Sequence, residues 1–378
     1  MRGGGNWNRC IRRNIGNFFG EYGHGGHSSN SGLTVAMFGA THTGDSAMLC
    51  RYLSSELGKD GSRLRAANHG CELELRHLKT QFDLGQYYAP FYSPRDAESM
   101  ATAIGPASVV VNCIGNYYET GSAIPTRRPP DYSWRSLSTV NYSFEEVHID
   151  VARRLAEVAR VKGVETFIHV SSSLADPNSP SRWARSRYQG ELAVREAFPE
   201  AIIIRPTPMF GHEDRLLNWV AQSAGYFRGY IPLVEDGAAL AQPVFVQDVA
   251  KAVKFLCRDS EDFIGKTFHL AGPADYSRRE LAEFVLDITK QNASLYDTPS
   301  FLAHSVASLI EYLPMPHWTI DDVQLAQVDA LIPTDAECTF SDLDINPTPV
   351  EKIAFSYLHR FRTGGHFILA KGYHKEAA

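Results

Sequence analysis

Between Leu33 and Leu53 the chain reads LTVAMFGATHTGDSAMLCRYL. Thr34 to Phe38 is an apolar run of strand length, Gly39-Ala40-Thr41 breaks it, and from Asp45 apolar residues recur at helical spacing (Met48, Leu49, Tyr52, Leu53). A strand, a tight turn and a helix in that order bring backbone N–H groups and the positive end of a helix macrodipole to one point, which suits a dinucleotide pyrophosphate. Glycines at 39, 42 and 45 would complete such a turn; the chain has Gly39, His42 and Asp45, with a displaced Gly44 between them. A side chain at 42 projects where backbone should approach the phosphates, and Asp45 adds negative charge at an anion site. The fold signal survives while the ligand signal weakens.

The rest of the chain repeats the alternation. Arg63 to Ala67, Leu84 to Tyr92, Ser108 to Ile114, Thr166 to Val170 and Ala201 to Ile204 read as strands; Pro94 to Ile104, Phe144 to Val161 and Arg182 to Phe198 read as helices. This predicts an α/β fold with a Rossmann-like, doubly wound parallel sheet over residues 31–210. Residues 119–140, rich in Pro, Arg, Ser and Thr without an apolar period, read as an insertion. Residues 211–378 mix short strands, helices (Val249 to Leu256, Arg278 to Thr289) and proline-bounded connections, predicting a smaller, mostly helical cap and extension interleaved with the sheet. Within it, Phe301 to Tyr312 carries an apolar stripe of Leu302, Val306, Leu309 and Ile310, expected to face the core in preference to a membrane or partner.

Residues 1–30 hold Arg2, Arg9, Arg12 and Arg13 against a single acid, Glu21, the pattern of a mitochondrial transit segment or of a retained basic tail. A length of 378 residues supports one large domain and an appendage. A net charge of −6 removes any general attraction for nucleic acid, which is not expected as a partner. The six cysteines are scattered with no C-x-x-C pair, which argues against both a disulfide framework and a metal site. No apolar run approaches the ~20 residues needed to span a bilayer.

The runs FPEAIIIRPTPMFGHEDRLLN (from Phe198), VETFIHVSS, QPVFVQDVAKAV and DINPTPVEK resemble the short-chain-dehydrogenase-like accessory subunit family of mitochondrial respiratory complex I, alpha-subcomplex subunit nine. The resemblance covers about residues 33–365. It implies an atypical short-chain dehydrogenase fold, a peripheral place on the matrix side of the mitochondrial inner membrane, near the junction of the peripheral and membrane arms, and one NADPH serving structure instead of turnover. It also implies that the partners are other complex I subunits, with the cap meeting neighbours or lipid headgroups. Gly39, Thr41 and Gly44 fall on the family's cofactor positions at the phosphate turn. His69 falls where the family places an Arg for the 2′-phosphate, and Arg187 where a Lys would hold the nicotinamide ribose. His69, with Arg76 and Lys79 nearby, leans toward NADP.

A working short-chain dehydrogenase needs a Tyr as general acid and a Lys four residues later to lower its pKa. Here those positions are Trp183 and Arg187, and none of the seventeen tyrosines has Lys at the fourth following position. Ser171 to Ser173 could supply a hydroxyl but are expected to satisfy backbone groups at a strand end. Glu213, Asp214 and Arg215 are expected to brace a loop. The sequence thus predicts no catalytic residues and a non-catalytic structural subunit. The competing reading is an NADP-dependent short-chain reductase or isomerase with unusual acid/base groups.

Overall fold

A computed structural model describes residues 31–41, 45–70, 72–119, 142–227, 229–311 and 318–362. The basic leader, His42, Gly44, nearly all of the 119–140 stretch and Tyr312 lie outside the described residues. Seven strands form the central sheet: β1 (Thr34–Phe38), β2 (Arg63–Ala66), β3 (Tyr87–Tyr88), β4 (Val109–Asn112), β5 (Thr166–Val170), β6 (Ile202–Pro206) and β7 (Thr267–Leu270). All are parallel, in the order β7-β6-β5-β4-β1-β2-β3. The order reverses between β1 and β4, where Val35 pairs with Val109 and Phe38 with Asn112. In such sheets ligands bind outside the carboxyl ends of the strands at this point.

The helices are α1 (Asp45–Lys59), α2 (Ala97–Ile104), α3 (Val151–Val161), α4 (Arg182–Ala197), α5 (Leu217–Tyr226), α6 (Val246–Arg258), α7 (Arg278–Thr289), α8 (Ser300–Ile310), α9 (Ile320–Leu325) and α10 (Val350–Leu358). Successive strand residues feed opposite faces. Val35, Met37, Val111 and Ile168 enter one core with α1 and α6, while Ala36, Phe38, Val110 and Phe167 enter the other with α2 and α3. Both faces are covered, so the strands read as unbroken apolar runs. The chain beyond 210 contributes β7 and α6 to this body. It also builds a layer of α5, α7, α8, α9 and the parallel pair Tyr230–Val234 with Ser294–Thr298.

Several boundaries shift from the sequence expectation. Of Leu84 to Tyr92 only Tyr87 and Tyr88 form strand, with one further bridge from Phe91 to Asn68, and Leu84 is fully exposed. α2 begins three residues after Pro94, where the Asp96 carboxylate accepts from the Glu98 and Ser99 amides. The helix expected from Phe144 opens as a π turn, Glu146–Asp150, before α3 continues it.

α8 overturns the expectation of a core-facing stripe for Leu302, Val306 and Leu309, while Ile310 packs against the buried cluster as expected. Phe301, Leu302, Val306 and Leu309 are 67%, 47%, 41% and 74% exposed, and it is Ala303 and Ala307 that are buried, against Val234, Trp318 and Val323. The small residues let the helix approach its neighbours closely, and that turns the bulky ones outward.

Gly190 marks a tight helix contact near the site. A Cβ there would lie 2.3 Å from the His148 carbonyl oxygen, which belongs to the π turn. Gly190→Ala is therefore expected to destabilise by about 2 kcal/mol although alanine favours helices, because backbone cannot yield as a side chain can. Urea titration reads this directly; a stabilised variant would refute the packing described.

Candidate functional site

The carboxyl ends of β4, β5 and β6 and the first turn of α1 form the floor of a cavity of about 280 Å³, and the outer layer forms its roof. At the phosphate turn Gly39 has φ 107°, and a Cβ on it would meet the Cys113 carbonyl carbon and oxygen at 2.7 Å. Gly39 is thus required by the closeness of β1 to the end of β4, with or without a ligand. Thr41 is buried beside it. The Asp45 carboxyl stands in the first turn of α1, lines the cavity, and has one oxygen buried without a hydrogen-bond partner. Burial pushes its pKa up, against the pull of Arg215 and Arg187.

Arg187 of α4 is buried on the cavity floor. Its Nη1 lies 3.4 Å from the carbonyl oxygens of Ile114 and Val170, so the guanidinium spans the ends of β4 and β5, while Nε has no partner. Burial lowers its pKa to about 10, with Glu191 the main opposing charge. The guanidinium fills the space beside Gly115, where a Cβ would sit 1.9 Å from Nη2. One turn earlier, Trp183 Nε1 donates to the Asn116 carbonyl oxygen at 2.8 Å, and its ring lies 5.3 Å from the Arg187 guanidinium carbon. The only N–H of the indole is thereby fixed on backbone, and it exchanges no proton near neutrality.

The serines only partly follow expectation. Ser172 Oγ accepts from the Leu174 amide, but the buried hydroxyls of Ser171 and Ser173 have no hydrogen-bond partner. The expectation that all three serve backbone groups is corrected for these two, because the neighbouring amides are already taken by β6: Ser171 N donates to Ile204 O and Ser173 N to Pro206 O.

His69, at the end of β2, packs among aromatic rings, with centroids 5.7 Å from Tyr92 and 5.9 Å from Tyr142. Its Nδ1 lies 3.3 Å from the Tyr92 carbonyl oxygen. Arg76 and Lys79 are exposed on a separate short helix. The acidic pair at 213–214 braces its loop. Glu213 pairs with Arg51, while Asp214 accepts from the Gly211, Leu217 and Asn218 amides and from Tyr357 Oη. Arg215 pairs with Asp322 at 3.1 Å and lies 3.5 Å over the Tyr117 ring.

Three cavity residues had no sequence signal. Asp321 accepts from Ser181 Oγ at 2.5 Å and from the Trp183 amide, fixing the start of α4 from 138 residues away. Asn116 holds Trp183, and Arg278, the first residue of α7, reaches the wall from the outer layer.

A dinucleotide would bring two phosphate charges to the head of α1, the pole that the Asp45 carboxyl already occupies with an unsatisfied oxygen. Phosphates beside Asp45 would push its already raised pKa higher still, so binding there must either bear the repulsion or take up a proton, and either offsets the gain from the helix dipole. These residues do not fit that group in its usual place.

Fold and site together define a protein of the short-chain-dehydrogenase-like class, with Trp183 and Arg187 one helical turn apart at the cavity. The chain matches the solved dTDP-glucose 4,6-dehydratase DesIV of Streptomyces venezuelae, which has NAD bound, with a TM-score of 0.60 at 15% identity, over 87% of this chain and 96% of that one. Residues 143–305 match the RmlD substrate binding domain family. Over 90% of its length the chain is 35% identical to NADH dehydrogenase (ubiquinone) 1 alpha subcomplex subunit 9, mitochondrial, of Mus musculus, covering 84% of that protein. It is 33% identical to the NADH-ubiquinone oxidoreductase 40 kDa subunit, mitochondrial, of Neurospora crassa over 93% of this chain and 86% of the other. The chain belongs to this alpha-subcomplex subunit 9 family.

Proposed function

We propose that the chain is a non-catalytic accessory subunit of mitochondrial complex I, held peripherally on the matrix side of the inner membrane near the junction of the two arms. Its partners are the other subunits there, and it contributes to assembly and stability of the peripheral arm. The observation that carries this reading is Trp183, placed where a reductase of this fold keeps its proton donor and hydrogen-bonded to Asn116 O. Around it, Arg187 and Asp321 hold the start of α4 as structure. The outward stripe of α8 supplies apolar surface for a neighbouring subunit.

The NADPH that the resemblance implies has no part in this reading, since Asp45 opposes its pyrophosphate. In mitochondria lacking the native chain, a tagged copy is expected to co-migrate with complex I on a native gel, to oxidise no NADPH when purified, and to release no dinucleotide on denaturation. NADPH consumption abolished by Arg187→Ala would establish the reductase alternative instead. Leu302→Asp combined with Leu309→Asp is expected to leave the isolated fold intact, both sites being exposed, and to lower incorporation at least severalfold. Unchanged incorporation would remove α8 from the interface.

A further inference from the structure

The cavity has lost the groups for hydride chemistry, yet it has not collapsed. Away from the sheet its walls are Trp219, Val234, Leu281, Trp318 and Leu325, with Pro232 beside them. Such walls offer nothing to the hydroxyls of a sugar, which would be buried unpaired at a cost of about 1–3 kcal/mol each.

The charged groups of the outer wall are nearly all committed. Asp321 is bound to Ser181 and Trp183, Asp322 to Arg215 and to Thr319, and Arg215 lies on Tyr117. Arg278 is the exception. Its Nη2 donates to Leu325 O at 2.9 Å, its Nε is buried without a partner, and among the described residues it forms no ion pair. The carboxylate whose charge it feels, Asp322, is engaged elsewhere. On the floor, the nine-tenths-buried Arg187 and Ser171 also keep an unpartnered Nε and Oγ. A partly buried guanidinium without a counter-ion on an apolar wall is the recognition element for an anion carried on a hydrocarbon body.

We propose that this cavity binds a single-chain fatty carboxylate, its head at Arg278 and its chain between Trp219, Leu281 and Trp318. The ligand differs from a dinucleotide in both charge and polarity, and it is bound without being transformed. The site is independent of the assembly role: a chain that fails to join complex I can still bind the ligand, and the converse.

The probe is 12-bromododecanoate, whose bromine quenches tryptophan at contact, titrated into the purified full-length protein, with 12-bromododecan-1-ol as the neutral match. Saturable quenching is expected, with the carboxylate at least tenfold tighter than the alcohol at neutral pH. Arg278→Gln should erase that tenfold preference and leave the alcohol unchanged, while Arg278→Lys should keep most of it. Trp219→Phe should reduce the quenching amplitude. Should Arg278→Gln fail to fold, the wild-type comparison of acid with alcohol decides alone. Absence of saturable quenching, equal affinity for the two probes, or displacement of the acid by NADPH would each overturn the assignment.

Discussion

Asp214→Ala is expected to cost about 3 kcal/mol of stability at neutral pH and more at pH 5, and to loosen two helices at once. The carboxylate accepts from the Leu217 and Asn218 amides, which open α5, from the Gly211 amide at 3.0 Å, and from Tyr357 Oη of α10 at 2.7 Å. Alanine leaves all of these donors buried without an acceptor. Asp214→Asn keeps one acceptor oxygen and should cost less. Burial holds the Asp214 pKa at about 6, above the usual carboxylate range, despite the donors around it.

Because the folded state binds this proton more tightly than the unfolded chain, the proton-linked part of the stability contributed by Asp214 is complete below about pH 4 and lost as pH rises through 6, while its hydrogen bonds remain. The full loss is on the order of 3 kcal/mol. The margin of wild type over Asp214→Asn should therefore shrink between pH 4.5 and 7, as read by paired urea titrations. A margin independent of pH would contradict the buried, proton-retaining carboxyl. Glu56, Glu145 and Glu146 have lowered pKa values and weaken the fold on acidification, which is why the difference between variants is the informative quantity.

Glu191→Ala should be comparably damaging, by about 3 kcal/mol, through two arginines. Buried Glu191 receives Arg205 Nε at 3.0 and 3.1 Å on its two oxygens and Nη2 at 2.5 Å, and it is also the main opposing charge for Arg187. Its removal leaves Arg205 without its bidentate partner and Arg187 without its main opposing charge. Arg205→Met in the same chain should restore the part of the loss that belongs to Arg205, roughly half, since an apolar side chain needs no counter-ion while Arg187 still lacks its opposing charge. If the double variant is no more stable than Glu191→Ala, the pair is not the source of the effect.

Local patterning made much of the sheet legible. Val109-Val110-Val111 and the run ending at Phe38 are buried on both faces, so their strand character needs no tertiary information, and α7 has a Ser277–Glu280 capping box that marks its start. The pairing of Trp183 with Arg187 was legible too, because their four-residue spacing is a property of one helix. What holds those residues was not. Asp321, Asn116 and Arg278 come from other elements, and nothing local distinguishes Asp321 from its surface counterparts.

α8 shows a different limit. Periodicity identifies an apolar stripe but not which neighbour covers it, and here Ala303 and Ala307 determined the orientation by allowing close approach. Ser171 and Ser173 were misjudged for a related reason: the backbone groups they would have satisfied were already engaged by β6, a fact of register.

The outward stripe of α8 has a consequence for the life of the chain. If a neighbouring subunit covers α8, as proposed above, Phe301, Leu302, Val306 and Leu309 stay wet on any copy that lacks it. Surplus molecules should then self-associate or be recognised by chaperones and degraded, so that steady-state abundance is capped by partner stoichiometry and not by its own rate of synthesis.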